Sequence, residues 1–493
     1  MATQQYTIVI GLETHVQLDT QTKLFCSCST AFGAAPNTQT CPICSGNPGT
    51  LPVMNARAFE LSLKTATALN CTIAPFTKWD RKQYYYPDLP KGYQISQYDL
   101  PFSSEGHLEI SDPKGRFEPK KVGIFRAHLE EDAGKSVHDE RAGKADSKID
   151  LNRTGTPLLE IVTKPDMRSA AEAKAYLTEL KLLLTYIKVS DCNMQEGSLR
   201  VDANVNLHID TPEGKIATPI VEIKNLNSFR AVEKAIDFEA RRQFDEWEET
   251  GKKLGDPGIF KRTFGWDDVK ERTYVQREKE ESADYRYFPD PDLVPVTVSP
   301  ERMAAVRDAL GERPQQLRAR LESEFGLTPY DSDVIVNQGR AFVDYFTEAA
   351  KVGGDGKVAS NWLQQDVMRV MGERELTIEA YPVPAKALGE LLAKVKAGEV
   401  DTSRGREVLA RMFEHGEDAA AAMAAMGIEK VDESALIALC EELVAANPKL
   451  VADVKAGKMQ AAGSFVGQAK KKNPNANPGR VKDLCLEIIA RLP

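Results

Sequence analysis

"YTIVIGLETHVQL", residues 6–18, sets Ile8, Ile10, Leu12, Val16 and Leu18 on one side of an extended chain and Glu13, His15 and Gln17 on the other. Glu13 and His15 therefore point the same way, and a carboxylate shares one patch with an imidazole. "SLRVDANVNLHI", residues 198–209, repeats the pattern: Leu199, Val201, Ala203, Val205, Leu207 and Ile209 alternate with Ser198, Arg200, Asp202, Asn204, Asn206 and His208. "PIVEIKNLNSF" (219–229) puts Glu222 and Lys224 on one face, and "GTPLLEIV" (155–162) sets Glu160 among apolar residues. Buried alone, such an acid costs several kcal/mol, so it lies on an open sheet face or has a partner. Several of these strands side by side make a carboxylate-lined concave sheet. Crowded carboxylates repel unless a cation offsets them, and hard oxygen ligands suit Mg2+, which also takes phosphate oxygens from a bound nucleotide. A solvated face carrying surface ion pairs accounts for the same pattern.

The chain has 493 residues, too many for one ordinary domain and enough for about three. With 42% hydrophobic residues it can build cores, and its formal charge of −9 argues against a uniformly basic nucleic-acid coat. No apolar run reaches the length of about 18 residues that a membrane span needs. The opening "MATQQYTIVIGLETHV" lacks a basic patch followed by an apolar stretch, so a cytoplasmic protein is expected, where structural disulfides are uncommon.

That compartment bears on "CSCSTAFGAAPNTQTCPIC", residues 26–44. Cys26 and Cys28, then Cys41 and Cys44, form two close pairs around a loop, the arrangement that brings four thiolates onto one tetrahedral zinc ion. Pro42, Gly46, Pro48 and Gly49 suit a tight knuckle. Four thiolates leave zinc no open position, so the metal is expected to be structural. Four free cysteines packed as small hydrophobes are the alternative; Cys71, Cys192, Cys440 and Cys485 are scattered and read as packing residues.

"AHLEEDAGKSVHD" (127–139) ends like a phosphate loop but has Leu129 where that pattern requires glycine, so it is not one. Glu130, Glu131 and Asp132 read instead as further acidic ligands, with Arg126 and Lys135 available for phosphate charge. From about residue 300 the strand signals give way to helical spacing, in "ERMAAVRDALGERPQQLRARLESEFG" and "DSDVIVNQGRAFVDYFTEAAK". "KVGGDGK" reads as a loop, "IEAYPVPAKALGELLAKVKAGEV" as a further helix, and "DTSRGREVLARMFEHG" as the start of a separate bundle capped by Thr402 or Ser403.

Eight stretches carry a resemblance: "GLETHVQL", "WDRKQYYYPDLPKGYQISQYDLPF", "HLEEDAGKS", "NRTGTPLLEIV", "EGSLRVDANV", "EIKNLNSFRAVEKAI", "DYRYFPDPDLVPV" and the closing "GSFVGQAKKKNPNANPGRV". In unchanged order along essentially the whole chain, they resemble the GatB family, the transferase components of the aspartyl/glutamyl-tRNA(Asn/Gln) amidotransferases. The resemblance implies an α+β catalytic domain, a glutamine synthetase-like cradle with a mainly antiparallel sheet, over residues 1–297, then all-α domains at 298–405 and 406–493. It implies an ATP- and Mg2+-dependent ligase that phosphorylates the side-chain carboxylate of Glu-tRNA(Gln) or Asp-tRNA(Asn) and displaces the phosphate with ammonia.

Residue by residue, the resemblance implies that Glu13, His15, Glu131 and Glu160 hold Mg2+, with Asp202 in the same catalytic cluster, and that Cys26, Cys28, Cys41 and Cys44 hold structural Zn2+. Glu130, Glu196, Arg200, Lys82 and Tyr84 are further substrate-binding candidates. Among these, the tyrosine-rich "KQYYYPDLPKGYQ" offers rings that can stack on a terminal adenine, or simply pack a core. Lys470, Lys471, Lys472 and Arg480 form a basic stretch that, in this family's tail, implies contact with the tRNA backbone, although a lysine run is also an ordinary solvated face.

The chain carries no glutaminase signature of its own, so the ammonia source is expected to be the amidase GatA, joined by the small protein GatC, with an aminoacyl-tRNA synthetase as a further candidate partner. Two other readings stay open: a zinc-containing RNA-binding translation factor without chemistry, which has no need of convergent acids, and a ligase acting on free glutamate, which has no use for a helical tail.

Overall fold

The computed structural model describes residues 6–138, 147–278, 285–428 and 432–492, and the chain divides into two compact units, Met1–Pro314 and Gln315–Pro493. The first is built on a ten-stranded sheet. Its strands are β1 (Tyr6–Gln17), β2 (Thr72–Ile73), β3 (Ser103–Ile110), β4 (Lys120–Glu131), β5 (Pro157–Thr163), β6 (Leu199–Thr211), β7 (Gly214–Ala217), β8 (Val221–Lys224), β9 (Arg262–Asp267) and β10 (Arg272–Glu278). They lie in the order β10-β9-β8-β6-β1-β5-β4-β3-β2, with β7 paired to β6. Every pairing is antiparallel except β8 with β9.

Helices α1 (Ala56–Ala68), α2 (Ala170–Tyr186) and α3 (Phe229–Thr250) supply the apolar partners of this sheet. Ile8, Ile10, Leu12, Val201, Val205 and Leu207 share one core with Leu61, Tyr176, Leu180, Val232 and Ile236. Burying aliphatic and aromatic side chains is favourable by about 1.5–3 kcal/mol each before entropy is counted, which is why the even-numbered residues of β1 face the helices. Glu13, His15 and Gln17 are only partly buried, on the opposite face.

Strand β4 breaks the simple alternation. Val122 and Ile124 are buried, but so are Ala127 and Leu129. The pairing of β5 with β4 shifts register between Val162 and Thr163, skipping Phe125, which stands half-exposed. A bulge of this kind moves every following side chain to the other face. It turns His128 and Glu130 onto the polar face of the sheet. A smaller sheet of Asp80–Gln83, Tyr93–Ser96 and Phe288–Pro289 carries the tyrosine-rich segment.

The helix Pro300–Asp308 (α4) belongs to the first unit, because Met303 and Val306 pack into its core; the unit therefore extends past residue 297 to Pro314. The second unit is helical. "KVGGDGK" is not an extended loop: the helices Arg340–Gly353 and Gly356–Trp362 are separated only by Gly354, at φ 68°, and Asp355, whose carboxylate accepts the Val358 N–H. The cap of the helix Thr402–His415 is neither Thr402 nor Ser403 but Asp401, which accepts the N–H groups of Ser403 and Arg404 at 3.0 and 3.1 Å. A final cluster packs Leu436, Cys440 and Leu443 against Phe465, Val481, Leu484 and Cys485. No helix among the described residues is long and apolar enough to cross a membrane.

Candidate active site

Register places the functional side chains in rows across the polar face. His15 of β1 pairs with Arg200 of β6 on one side and with Glu160 of β5 on the other, and Glu160 pairs with His128 of β4. The next row holds Glu13 beside Asp202, with Asn204 and Glu222 following on β6 and β8.

The first row and Glu130 form one group. The ligand atoms of His15, Glu130 and Glu160 lie within 4.8 Å of one another. His15 Nε2 is 3.6 Å from Glu160 Oε2, and His128 Nε2 is 3.4 Å from the same oxygen and 3.3 Å from Glu130 Oε2. Two carboxylates at such a separation repel by on the order of 3 kcal/mol at an effective dielectric of about 20. The surroundings answer with cations. Burial opposes the charged form of His15, but the hydrogen bond and charge of Glu160, with Glu130 and Asp202 behind, push its pKa up to about 9. Burial likewise works against ionised Glu160, yet His128, His15 and Lys82 hold it well below the usual carboxylate range. Lys82 Nζ lies 4.9 Å from the Tyr285 ring centroid and 5.7 Å from that of Tyr84, and Tyr84 donates its hydroxyl to Gln94 Oε1 at 3.2 Å.

The expected acids do not all meet at this point. Glu131 is the neighbour of Glu130 on a strand, so its carboxylate points to the other face. There it is buried, paired with Lys91 and accepting the Ile95 N–H at 2.9 Å. Glu13 accepts from Asn204 Nδ2 at 2.8 Å, and Asp202 receives Lys224 Nζ at 2.5 Å. Lys261 lies 3.1 Å from Glu222 and 4.0 Å from Glu13, completing an alternating row of charge beside the first. Asp132 is taken by Arg200 at 2.7 Å and Gln17 at 2.8 Å. Of the phosphate candidates, Arg126 donates to Tyr98 O and Lys135 is exposed; Asp139, at the end of that stretch, lies outside the described residues. Glu196 sits exposed on the turn before β6, its N–H donating to Asn193 Oδ1, and is not in the group of His15, Glu130 and Glu160.

The alternation of residues does not single out His128, because the bulge at Phe125 hides its face. The two-residue spacing of His128 and Glu130, the same as that of Glu13 and His15, is the signal that finds it.

The cysteine knuckle converges as its spacing predicts. The sulfurs of Cys26, Cys28, Cys41 and Cys44 lie within 4.8 Å of one another, and those of Cys41 and Cys44 are 3.9 Å apart. Tetrahedral bonds of about 2.3 Å place thiolate sulfurs about 3.8 Å apart, so the donor set fits zinc. Fully buried Lys23 donates to Gln39 O at 2.7 Å and Leu151 O at 3.3 Å, and its Nζ is 3.5 Å from Cys44 Sγ. A cavity of about 220 Å³, lined by Cys26, Cys44, Lys91, Glu131 and Gly155, lies between the knuckle and β4.

The sequence profile of the GatB/GatE catalytic domain matches residues 8–304, and that of the GatB domain matches residues 344–489. The chain belongs to the GatB family. Among the family's curated members, the GatB-type component of the aspartyl/glutamyl-tRNA(Asn/Gln) amidotransferase of Rhodopirellula baltica is 60% identical over 494 residues, covering 100% of this chain and 99% of its own. The corresponding protein of Moorella thermoacetica is 46% identical over 98% of this chain and 100% of its own, and that of Thermosynechococcus vestitus 46% identical over 96% and 94%. The mostly antiparallel sheet unit and the helical unit that follows agree with the two GatB profiles.

In the tail, three of the four basic side chains are already engaged. Lys470 pairs with Asp401 at 2.8 Å, Lys472 with Glu442, and Arg480 with Glu433 and Glu487. Lys471 is exposed.

Proposed function

We propose that this chain is the transferase component of a tRNA-dependent amidotransferase. It uses ATP to phosphorylate the side-chain carboxylate of Glu-tRNA(Gln), Asp-tRNA(Asn) or both, and then replaces the phosphate with ammonia to give the amide. The observation that carries this reading is the group of His15, Glu130 and Glu160 on the polar face of a mostly antiparallel sheet, in a chain matching GatB relatives along its whole length.

A free carboxylate is a poor acyl donor, and the acyl phosphate supplies the leaving group. His15, Glu130 and Glu160 are the residues that would hold Mg2+, and the bound ion would offset charge on the phosphoryl group being transferred. Lys82, partly covered by Tyr285 and Tyr84, places a cation beside the same carboxylates for phosphate oxygens, and Arg200, paired with Asp132, stands at the position next to His15. Glu13, Asp202 and Glu222 with Lys224 and Lys261 form the adjacent wall, suited to orient the amino acid and to hold ammonium as the nucleophile's source. Tyr84 and the tyrosines around it offer faces for the terminal adenine.

The chain holds Zn2+ at Cys26, Cys28, Cys41 and Cys44 as a staple, since four thiolates leave the ion no open coordination position. Ammonia comes from a separate glutaminase, GatA, with GatC completing the assembly. Residues 406–493 form the tRNA-binding tail, with Lys471 as the contact ready without rearrangement. The test is ammonium-driven amidation of Glu-tRNA(Gln) and Asp-tRNA(Asn) with ATP and Mg2+. Glu160→Gln is expected to abolish amide formation while tRNA still binds. Full amidation by that variant, or lost tRNA binding with intact catalysis, overturns the reading.

A further inference from the structure

His128 is a buried histidine, 2% exposed, that faces two carboxylates. Its Nε2 lies 3.3 Å from Glu130 Oε2 and 3.4 Å from Glu160 Oε2, while its Nδ1 is buried without a hydrogen-bond partner. With no acceptor at Nδ1, the ring's hydrogen-bonding contact is made through Nε2, where both carboxylate oxygens stand. One N–H is thus offered to two carboxylates on neighbouring strands. Both belong to the three-residue group that would bind a divalent cation.

We propose that His128 is a positioning residue, which holds the Glu130 and Glu160 carboxylates at the separation a divalent cation requires and does not itself coordinate the ion. The proposal rests on the cation role given above to His15, Glu130 and Glu160. Its physical basis is that ligating carboxylates need hydrogen bonds from behind to fix their orientation, and losing such a partner typically weakens metal affinity about 10–100-fold. Glu160 has another neighbour in His15, but His15 belongs to the ligand group and is not available to act only as a support. Ser96 Oγ donates to Glu130 Oε2 at 3.0 Å, so that oxygen already has one fixed donor and His128 supplies the link to Glu160.

The experiment is Mn2+ binding to the full-length chain without nucleotide, followed by electron paramagnetic resonance, with nitrogen modulation counting the coordinated imidazoles. Wild-type protein is expected to show one imidazole, from His15. His128→Asn, which places its amide near the Nδ1 position and leaves no donor at Nε2, is expected to weaken Mn2+ binding at least about 10-fold. His128→Gln, whose amide N–H reaches the Nε2 position, is expected to recover most of the affinity and to keep the single-imidazole signal. Unchanged affinity in folded His128→Asn overturns the proposal, as does a second imidazole that disappears in His128→Gln, since that makes His128 a ligand. Circular dichroism and zinc content report folding independently; if His128→Asn does not fold, affinity in His128→Gln below about one-tenth of wild type overturns the proposal. His15→Gln and Glu160→Gln separate the two readings. If neither changes Mn2+ binding, the cation site fails; if both do and His128→Asn does not, only the positioning role fails.

Discussion

Glu130 and Glu131 are adjacent in the chain and serve opposite faces of one strand. Glu130 Oε2 lies 3.3 Å from His128 in the group with His15 and Glu160, whereas Glu131 accepts the Ile95 N–H and pairs with Lys91 on the other side.

This pair predicts two different phenotypes. Glu130→Gln is expected to lower ammonium-driven amidation by about 100-fold or more with little change in melting temperature. Glu131→Gln leaves Lys91, 7% exposed, without its buried counter-charge, which costs about 3–5 kcal/mol when one partner of such a pair is removed. Amidation rates and thermal melts of the two variants check the contrast, and equal melting temperatures would sink it.

Removing zinc tests the knuckle. Cys44→Ser is expected to lose bound zinc and to lower thermal stability, because Lys23 and the carbonyls of Gln39 and Leu151 then no longer close on a fixed thiolate. Folded protein is expected to keep measurable ammonium-driven amidation. Metal analysis and activity on the same sample decide; complete loss of chemistry in a folded, zinc-free variant contradicts a purely structural metal.

Acid stability follows from Glu246 on α3. The Arg262 guanidinium, donating at 2.9 and 2.8 Å, and then Arg242 at 2.6 Å outweigh burial and hold its carboxyl at about 2, against an ordinary 4.5. The folded state binds this proton less readily than the unfolded chain. The stabilisation is therefore complete above about pH 5 and lost as pH falls from about 4.5 towards 2, with on the order of 2 kcal/mol at stake after solvent screening. Glu246→Gln is expected to flatten that part of the stability–pH curve, as read by denaturant unfolding between about pH 3 and 6.

Lys470 and Lys471 differ in the tail for the same kind of reason. Lys470 is tied to Asp401, the cap of the helix Thr402–His415, so Lys470→Ala is expected to act on stability. Lys471→Ala is expected to weaken tRNA binding and to reduce its salt dependence by about one counterion. Filter binding of tRNA across a salt series measures this, and an unchanged slope removes Lys471 from the interface.

The alternation of β1 and β6 was legible residue by residue: Ile8, Ile10 and Leu12 had to face a core, so Glu13 and His15 had to face away from it. Cys26, Cys28, Cys41 and Cys44 were legible too, because close pairs are constrained by the chain itself. These are local properties, and a side-chain period of two or a short cysteine spacing is written in the order of residues. Which acids meet is not local. Antiparallel register set Glu160 beside His15 and left Glu13 beside Asp202, and the skipped Phe125 turned Glu130 towards the group and Glu131 away from it. Register depends on pairing with distant strands, and a single bulge reverses every face after it. The sequence by itself determined the two faces of β1 and β6 and the close cysteine pairs; only the tertiary structure decided which carboxylates stand together, because that choice belongs to strand neighbours and not to chain neighbours.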